Sequence, residues 1–400
     1  MPDWGERKLG DLITVKHGYA FKGEYFGEDP AQPVLVTPGN FAVGGGFKES
    51  KVRTYFGPEV EGFTLSAGDL IVTMTDLSKT GDTLGYPALV PTGRTYLHNQ
   101  RIGLVEFLSR DSIPRFLYYV LMTKEYRHHI LATATGSTVR HTSPGRIGEH
   151  VFRLPPLREQ RAIASTLGAL DDKIAINHCI VAASRELGIA LYQAALGESG
   201  REIAVDEMSA LLTRGQAPRY TNEPTGITVL NQKCVRDGRT VLEPSRLTEA
   251  DRIKPDRLLQ KYDVLVNSTG VGTLGRVGIW SHDLAATVDS HVTIIRIAPP
   301  LPAIIGGFAL LAAQPEVEAL GEGSTGQTEL SRSKLASLLV SVPVRNVEEL
   351  ARRLSGLEDR ADAALSESKT LTEIRNTLLP ELMSGRLQIK DAERVVEEAV

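Results

Sequence analysis

The stretch LPPLREQRAIASTLGALDDKI, residues 154–174, decides the fold because it has the pattern of a long helix and returns in altered form near the C-terminus. Ile163, Leu167, Leu170 and Ile174 recur at spacings of four, three and four residues, which places one apolar stripe along a helix. Such a stripe packs against a second helix. We expect that helix to be the second copy of the same stretch.

A tandem repeat is indicated by one sequence offset that relates two separate blocks. It carries Pro156 onto Pro343, Ile163 onto Leu350, Leu167 onto Leu354 and Leu170 onto Leu357. The same offset carries Gly136-Ser137-Thr138 onto Gly323-Ser324-Thr325. Two independent blocks rarely share an offset by chance, so the chain is predicted to contain one module twice.

The segments between the two stretches have the composition of mixed helix and strand. Residues 69–72 and 263–266 both follow a turn and have the pattern of a buried strand, while residues 115–134 and 303–320 have the pattern of a helix. The predicted fold is α+β: two similar domains in a pseudo-two-fold arrangement, separated by two long antiparallel coiled-coil helices. The predicted boundaries are 1–156 for the first domain, 157–200 for the central helix, 201–343 for the second domain, 344–387 for the C-terminal helix and 388–400 for a tail.

Each predicted helix is entered through a proline and would be roughly 60 Å long, which suits a spacer. Antiparallel pairing would bring ten apolar residues into one seam: Ile163, Leu167, Leu170, Ile174, Leu350, Leu354, Leu357, Leu371, Leu378 and Leu382. Asn177, Ser184 and Arg375 fall on the same stripe, so the seam contains polar positions that can set its register.

Composition excludes several classes of protein. A chain of 400 residues with 42% hydrophobic residues can bury two cores, and a net charge of −4 gives no global basic field, so any nucleic-acid binding must rest on local patches. The N-terminus has no apolar core of signal-peptide length, and the apolar run at residues 303–313 is too short to cross a bilayer, which predicts a cytoplasmic protein. Cys179 and Cys234 lie in different predicted elements, so neither a disulfide framework nor a zinc site is expected.

The sequence contains no convincing catalytic or cofactor-binding motif. Residues 270–275 match G-x-G-x-x-G, but the following residues 276–280 have the pattern of a strand, whereas dinucleotide binding requires a helix there. The chain also lacks H-E-x-x-H, the Walker A lysine motif, the G-x-S-x-G elbow and the N-P-P-[FY] tetrapeptide of amino-methyltransferases. We therefore expect no catalytic residues and no metal site in this chain.

Polar and basic side chains recur instead in the loops of both domains, and such groups contact phosphates and base edges. The candidate DNA-binding residues of the first domain are Lys16, His17, Tyr19, Lys22, Ser78, Lys79, Thr80, Ser137, Thr138, Arg140 and His141. Those of the second domain are Arg214, Gln216, Arg219, Ser268, Thr269, Ser324, Thr325, Gln327 and Arg332. Ordinary solvated loops would also contain any one of these residues, so the DNA interpretation rests on the duplication of the pattern.

These features resemble the specificity (S) subunits of type I restriction-modification enzymes over nearly the whole chain. The resemblance is carried by residues 154–174, by the GST loop before them, and by LLPELMSGRL at residues 378–387. The second copy departs from the family pattern, because SVPVRNVEELARRL lacks the L-P-P-L and E-Q residues.

The resemblance implies that each domain is a target-recognition domain that reads one half of a bipartite DNA site. The helices would set the gap and dock methyltransferase (M) subunits, two in number, which bring S-adenosylmethionine. Motor-nuclease (R) subunits, which use ATP and Mg²⁺, would join for cleavage. The alternative is a scaffold that assembles protein partners through its paired helices and does not read DNA; the acidic net charge favours it.

Overall fold

A computed structural model describes residues 4–49, 52–322 and 329–400, which form two compact units. The first unit falls within Met1–Ile174 and Lys369–Val400, and the second is Ala175–Ser368. Each unit therefore contains a mixed α/β part and one segment from each of two long helices.

The first unit is built mainly from short strands. In chain order its mixed part contains β1 (Gly5–Lys8), β2 (Ile13–His17), β3 (Phe26–Gly27), β4 (Val34–Leu35), β5 (Thr54–Tyr55), β6 (Thr64–Leu65), β7 (Leu70–Thr73), β8 (Thr75–Asp76), β9 (Pro87–Leu89), β10 (Tyr96–Leu97), β11 (Ile102–Phe107), α1 (Pro114–Val120), α2 (Lys124–Thr133), β12 (Arg140–His141), α3 (Pro144–Gly148) and β13 (Val151–Leu154). Strand β7 is buried at all four positions, as its uninterrupted apolar sequence predicts. It lies inside an antiparallel sheet of order β2-β11-β7-β9.

The second unit contains β14 (Gly200–Ala204), β15 (Ser209–Arg214), β16 (Tyr220–Thr221), β17 (Ile227–Leu230), β18 (Val235–Arg236), β19 (Gly238–Thr240), β20 (Arg246–Thr248), β21 (Val264–Asn267), β22 (Val277–Ile279), β23 (Ala286–Val288), β24 (Val292–Ile297), α5 (Ala303–Ala312), α6 (Gln314–Ala319), β25 (Gly321–Glu322), β26 (Glu329–Leu330), α7 (Arg332–Ser337) and β27 (Leu339–Pro343). Its large sheet has the order β15-β24-β21-β22-β19-β18.

The two units share their strand topology. The first four strands of the large sheet, β15-β24-β21-β22, occupy the places of β2-β11-β7-β9. The smaller sheets repeat as well, since β3-β5-β4-β10 corresponds to β16-β20-β17-β23 and each contains one parallel pair. Each unit also contains a separate antiparallel pair of strands, β1 with β13 in the first unit and β14 with β27 in the second. This agreement confirms the tandem repeat predicted from the sequence offset.

The long helices are α4 (Leu157–Ser199) and α8 (Val347–Met383), and their segments run antiparallel within each unit. In the first unit Arg375 pairs with Asp171 at 2.7 Å, while Ile163 and Leu382 line one small cavity. In the second unit Asn177 Nδ2 donates to Glu367 Oε2 at 2.7 Å.

The predicted seam is buried at most of its positions. Leu167, Leu170, Leu371, Leu378 and Leu382 belong to the core of the first unit, and Leu350 and Leu354 to the core of the second. The polar positions Asn177 and Ser184 are buried as well. Ile174 and Leu357 are only half-buried. Next to Leu357, Glu358 is buried because its carboxylate accepts a hydrogen bond from Arg239 on β19.

Three predicted elements are corrected by the structure. The helix expected at residues 115–134 is divided into α1 and α2, because Thr123 caps α2 by accepting a hydrogen bond from the Tyr126 N–H at 3.3 Å. The helix expected at residues 303–320 is divided near Ala313, just before Pro315. The C-terminal tail forms a helix, α9 (Ile389–Ala399), whose Ala392 and Val396 pack into the core of the first unit.

The apolar run at residues 303–313 is not the only apolar segment of note. Helix α4 contains an 18-residue window, within Leu157–Gly197, whose mean hydropathy of 1.3 would by length and composition alone allow it to cross a bilayer. Core helices pass the same test. The packing of Leu167 and Leu170 against residues of α8 within the first unit accounts for part of this apolar character.

Candidate nucleic-acid interface

In the first unit, the loop after β8 presents Ser78, Lys79 and Thr80 on a fixed backbone. The buried carboxylate of Asp76 accepts hydrogen bonds from the backbone N–H groups of Ser78 and Thr83 and from the Thr83 hydroxyl, the last at 2.7 Å. Burial acts to raise the pKa of Asp76, but these hydrogen bonds outweigh it and lower the pKa, so the carboxylate stays charged and holds the loop. Lys79 and Thr80 are exposed on this support.

The segment around β12 lies beside that loop. Strand β12 pairs with β8, Arg140 Nε donates to the Lys79 carbonyl at 2.9 Å, and Thr75 Oγ1 is 3.2 Å from His141 Nδ1. Ser137 and Thr138 are exposed in the turn that leads into β12. The structure therefore brings together Ser78–Thr80 and residues 137–141, which the sequence had only suggested separately.

A second group forms where β2 ends. Lys16, His17, Tyr19 and Lys22 are all exposed, and Lys16 Nζ lies 5.4 Å from the centroid of the Phe63 ring. Tyr19 contacts Phe21 and Phe63 at ring-centroid distances of 5.2 and 5.4 Å. This end of the first unit thus combines cationic and aromatic groups, which suit phosphate contact and base stacking.

The aromatic part of this surface was not identified from the sequence. Tyr25 contacts Tyr55 and Phe56 in edge-on geometry, both at 5.8 Å, and Phe56 remains 56% exposed. Phe26 lies beneath the guanidinium of Arg53 at 5.4 Å. Residues 19–26 and 55–63 are rich in aromatic side chains, which indicates an aromatic cluster. The strands there are too short for an alternation of apolar and polar residues to show which rings face outward.

In the second unit, Arg214 lies at the position of His17, because Gly215 and Gly18 end equivalent strands. A Cβ on Gly18 would lie 2.3 Å from the Asn99 carbonyl oxygen, and one on Gly215 would lie 2.2 Å from the carbonyl oxygens of both Val288 and Asp289. Only glycine allows this close backbone approach. Both units therefore place the residue before the glycine at the same point of the fold.

Arg214 and Thr269 lie close to the segment that contains β26. Arg214 forms an ion pair with Glu329 and donates through Nη2 to the Leu330 carbonyl at 2.9 Å. Thr269 bridges to Glu329 through the backbone and shares a 2.8 Å hydrogen bond with His291 Nδ1. Ser324, Thr325 and Gln327 lie outside the described residues.

One predicted contact residue is corrected by its burial. Ser268 has no exposed surface, and its hydroxyl is 2.6 Å from the Thr293 hydroxyl inside the sheet, so it cannot reach a duplex without unfolding the strand. Arg219 is exposed and pairs with Glu249 at 3.1 Å, whereas Gln216 is half-buried and accepts from the Lys254 N–H at 3.1 Å. Arg332 is exposed at the start of α7.

The second unit has a further basic residue that the sequence did not single out. Arg257, in a turn before β21, donates to the backbone carbonyl of Arg214 and lines one cleft with Arg214 and Arg332. Arg246 stacks on the exposed ring of Tyr220 with its guanidinium carbon 3.5 Å from the ring centroid. Arg246 and Arg257 lie in segments that differ in length from the equivalent segments of the first unit. Alignment of the two copies therefore did not identify them as contact residues.

No group of three or more His, Cys, Asp or Glu side chains among residues 4–49, 52–322 and 329–400 could hold a metal ion. Cys179 is an exposed free thiol and Cys234 a buried one.

Comparison with known proteins gives one consistent result. The family model described as type I restriction modification DNA specificity domain matches residues 1–182. The specificity subunit of the type I restriction enzyme EcoBI from Escherichia coli is 23% identical over an alignment of 431 positions, which covers 96% of this chain and 86% of that protein. The crystal structure of the S subunit of a type I restriction-modification system from M. genitalium has a TM-score of 0.57 at 18% identity, covering 95% of this chain and 96% of that one.

The structural likeness agrees with the repeated α+β topology, and the relative spans both units. Residues 1–182 therefore match the DNA specificity domain of type I restriction-modification enzymes, and the chain is similar over nearly its whole length to a specificity subunit of such an enzyme.

Proposed function

We propose that the chain reads a bipartite, asymmetric DNA site, with residues 1–156 and 201–343 as target-recognition domains that each read one half. The observation that carries the proposal is the repeated topology with different side chains at equivalent points. His17 stands in one unit where Arg214 stands in the other, and both precede a glycine that is required by close backbone contact. One fold presented twice with different contact groups suits two different half-sites.

The proposed contact residues in the first domain are the two groups described above. Lys16, His17, Tyr19 and Lys22 would act from the end of β2, and Ser78–Thr80 with residues 137–141 from the joined loops. In the second domain we retain Arg214, Gln216, Arg219, Thr269 and Arg332 and add Arg257. Ser268 is left out because it is buried.

The helices are proposed to set the distance between the half-sites. Helix α4 has 43 residues, which corresponds to about 65 Å at 1.5 Å per residue. One turn of B-DNA spans about 34 Å, so the helix is longer than one turn of the duplex. The bases between the halves would then be indifferent.

Methyltransferase subunits are proposed to dock on the helices. Ile176 and Leu187 on α4 are 55% and 49% exposed, and their separation of about three helical turns places both on one face of the helix. Because the helices belong to a repeat, we propose two M subunits, which supply S-adenosylmethionine and the methyl transfer. R subunits with ATP and Mg²⁺ would add cleavage, and the complex would act in the cytoplasm.

Footprinting of the S–M complex on its target tests the proposed reading. Two protected half-sites with an indifferent spacer are expected, and one continuous protected site would contradict the proposal. If the complex binds target no more tightly than random duplex, the scaffold alternative is the better account.

Docking is tested by co-purification. Ile176→Asp and Leu187→Asp should reduce recovery of M subunits, because each places a charge in an apolar contact. Val43→Asp is the matched control, since Val43 is 72% exposed but lies in a loop of the first unit. Unchanged recovery with both helix variants would remove this face from the proposed interface.

A further inference from the structure

The second unit contains a small cleft lined mainly by arginines. Its walls are Thr213, Arg214, Gly215, Arg257 and Arg332, and its volume is about 440 Å³. We infer that this cleft binds one backbone phosphate of the target DNA, and that it anchors the second target-recognition domain on its half-site. The inference rests on the proposed function and specifies which side chains perform it.

The cleft is held by contacts that fix two of the three guanidinium groups. Arg214 is oriented by Glu329 and by the Leu330 carbonyl at 2.9 Å. Arg257 donates to the Arg214 carbonyl, and its own carbonyl accepts from Thr287 Oγ1 at 2.9 Å. The segment that follows Arg214 is also joined to the turn that contains Arg257, because Gln216 accepts a hydrogen bond from the Lys254 N–H. A guanidinium that is oriented before binding loses little rotamer freedom when it meets a phosphate.

Charge in the cleft favours an anion. Its arginines carry three positive charges. Two carboxylates form ion pairs with them: Glu329 with Arg214, and Asp256, which is 3.7 Å from Arg257 Nε. Asp256 is 55% exposed, so water screens much of its effect. Arg332 forms no ion pair with any residue that the structure describes and is exposed at the mouth.

One buried donor of the cleft has no hydrogen-bond acceptor in the described part of the chain, although it lies within ion-pair distance of Asp256. The Nε atom of Arg257 is inaccessible to solvent and makes no hydrogen bond among the described residues. A buried guanidinium donor without an acceptor is unfavourable unless a ligand or a small rearrangement supplies one. A tetrahedral phosphate, with two free oxygens, can accept from several guanidinium groups at once.

The position of the cleft matches the proposed interface. Arg214 precedes the glycine that ends β15, at the place where the first unit presents His17. The two units would therefore anchor on DNA with different groups, arginines in the second and the lysine and aromatic groups around Tyr19 in the first. This difference gives each half-site its own anchoring contact.

The experiment uses the full chain assembled with M subunits and a duplex that carries the target identified by methylation sequencing. Arg332→Gln is the test variant because this exposed side chain can be changed without disturbing the core. Arg236→Gln is the matched control. It removes the same charge from an exposed residue on β18, five strands from β15 in the same sheet, or about 24 Å away.

The slope of log Kd against log [KCl] is the first readout. Loss of one phosphate contact should reduce the slope by about 0.9 and weaken binding by about tenfold, whereas Arg236→Gln should change neither. Neutral methylphosphonates placed one at a time in the second half-site form the second readout. One position should weaken the wild-type complex more than it weakens Arg332→Gln, because one of the three arginine contacts to that phosphate is already lost in the variant.

The outcomes separate the inference from the proposed function. A wild-type complex without salt-dependent DNA binding would refute the proposed function itself. Normal wild-type binding with an unchanged slope in Arg332→Gln would overturn only the cleft inference. A changed base preference without a changed slope would show a base-edge contact and also overturn it. A third outcome would also overturn the cleft inference: calorimetry shows tight binding of inorganic pyrophosphate, and Arg332→Gln abolishes that binding but leaves DNA binding intact.

Discussion

Replacement of Arg239 by methionine tests how the second unit holds its strands against helix α8. Arg239, on β19, is 8% exposed and forms ion pairs with Glu358, which is 4% exposed, and with Asp362, which is 22% exposed. Arg185 lies alongside, in the space left by the absent side chain of Gly238. All four charged groups belong to the same unit.

The expected cost follows from the burial of Glu358. Removing one partner of a buried ion pair leaves an uncompensated charge and typically costs 3–5 kcal/mol. Arg185 remains near the carboxylate and supplies part of the compensation, so we expect a loss of about 3 kcal/mol in the free energy of unfolding of this unit. The double variant Arg239→Met/Glu358→Met should be more stable than the single variant by about 1–2 kcal/mol, because the buried carboxylate is removed together with its partner. Recovery should be partial, since Arg185 and Asp362 each lose a charged neighbour.

The loss should depend on pH. Burial raises the pKa of Glu358, and Arg239 opposes this effect. Without Arg239 the pKa of Glu358 in the folded state rises further. At a pH between the ordinary carboxyl pKa and this raised pKa, Glu358 is protonated in the folded state but ionised in the unfolded state. Stability of the single variant should therefore fall as pH rises through the window between those two pKa values. The deficit should be smallest at acidic pH and fully present above the raised pKa.

The assay uses the distribution of tryptophans. Trp4 and Trp280 are the two in the chain, and Trp280 is buried in the second unit. In a Trp4→Phe background, urea unfolding followed by fluorescence reports this unit alone. An Arg239→Met variant whose unfolding free energy equals that of the background, or a double variant as unstable as the single one, would refute the reasoning.

Three further substitutions test the fold and the interface, and each has its own readout. Leu167→Ala should cost about 2–5 kcal/mol in urea unfolding followed by circular dichroism, because Leu167 is fully buried in the seam, and half-buried Leu357→Ala should cost clearly less; equal costs would contradict the seam. Gly215→Ala should lower stability by about 1–3 kcal/mol, since its Cβ would meet carbonyl oxygens at 2.2 Å, whereas Gly23→Ala, with nothing within 4 Å, should stay within about 0.5 kcal/mol; a neutral Gly215→Ala in thermal unfolding would remove the argument from close approach. Lys79→Ala should weaken DNA binding and reduce its salt slope by about 1, and an unaltered slope in a fluorescence titration would take that loop out of the interface.

The repeat and the helical seam could be predicted because both depend on spacing. One offset related the two modules, and a stripe of leucines identified a helix partner before any contact was known. The sheets then repeated strand by strand. Periodicity could not show that Glu358 is buried, because its burial depends on Arg239, a residue 119 positions away in the chain.

The candidate interface was predicted less completely, since exposure at a strand end depends on tertiary contacts. Ser268 looked like a loop residue but ends inside the sheet against Thr293. Arg257 was missed because only its contact with Arg214 brings it to the cleft. The division of the helix at Thr123 was visible in principle, since threonine is a favoured N-cap.

The central claim is that two similar domains each read one half of the target. Methylation sequencing of a host that expresses this chain with its M subunit tests it most directly, with residues 206–343 exchanged for the equivalent domain of another specificity subunit in a second strain. We expect a motif of two specified halves around unspecified bases, and the exchange should alter one half only. A single contiguous motif, or a change in both halves, would contradict the claim.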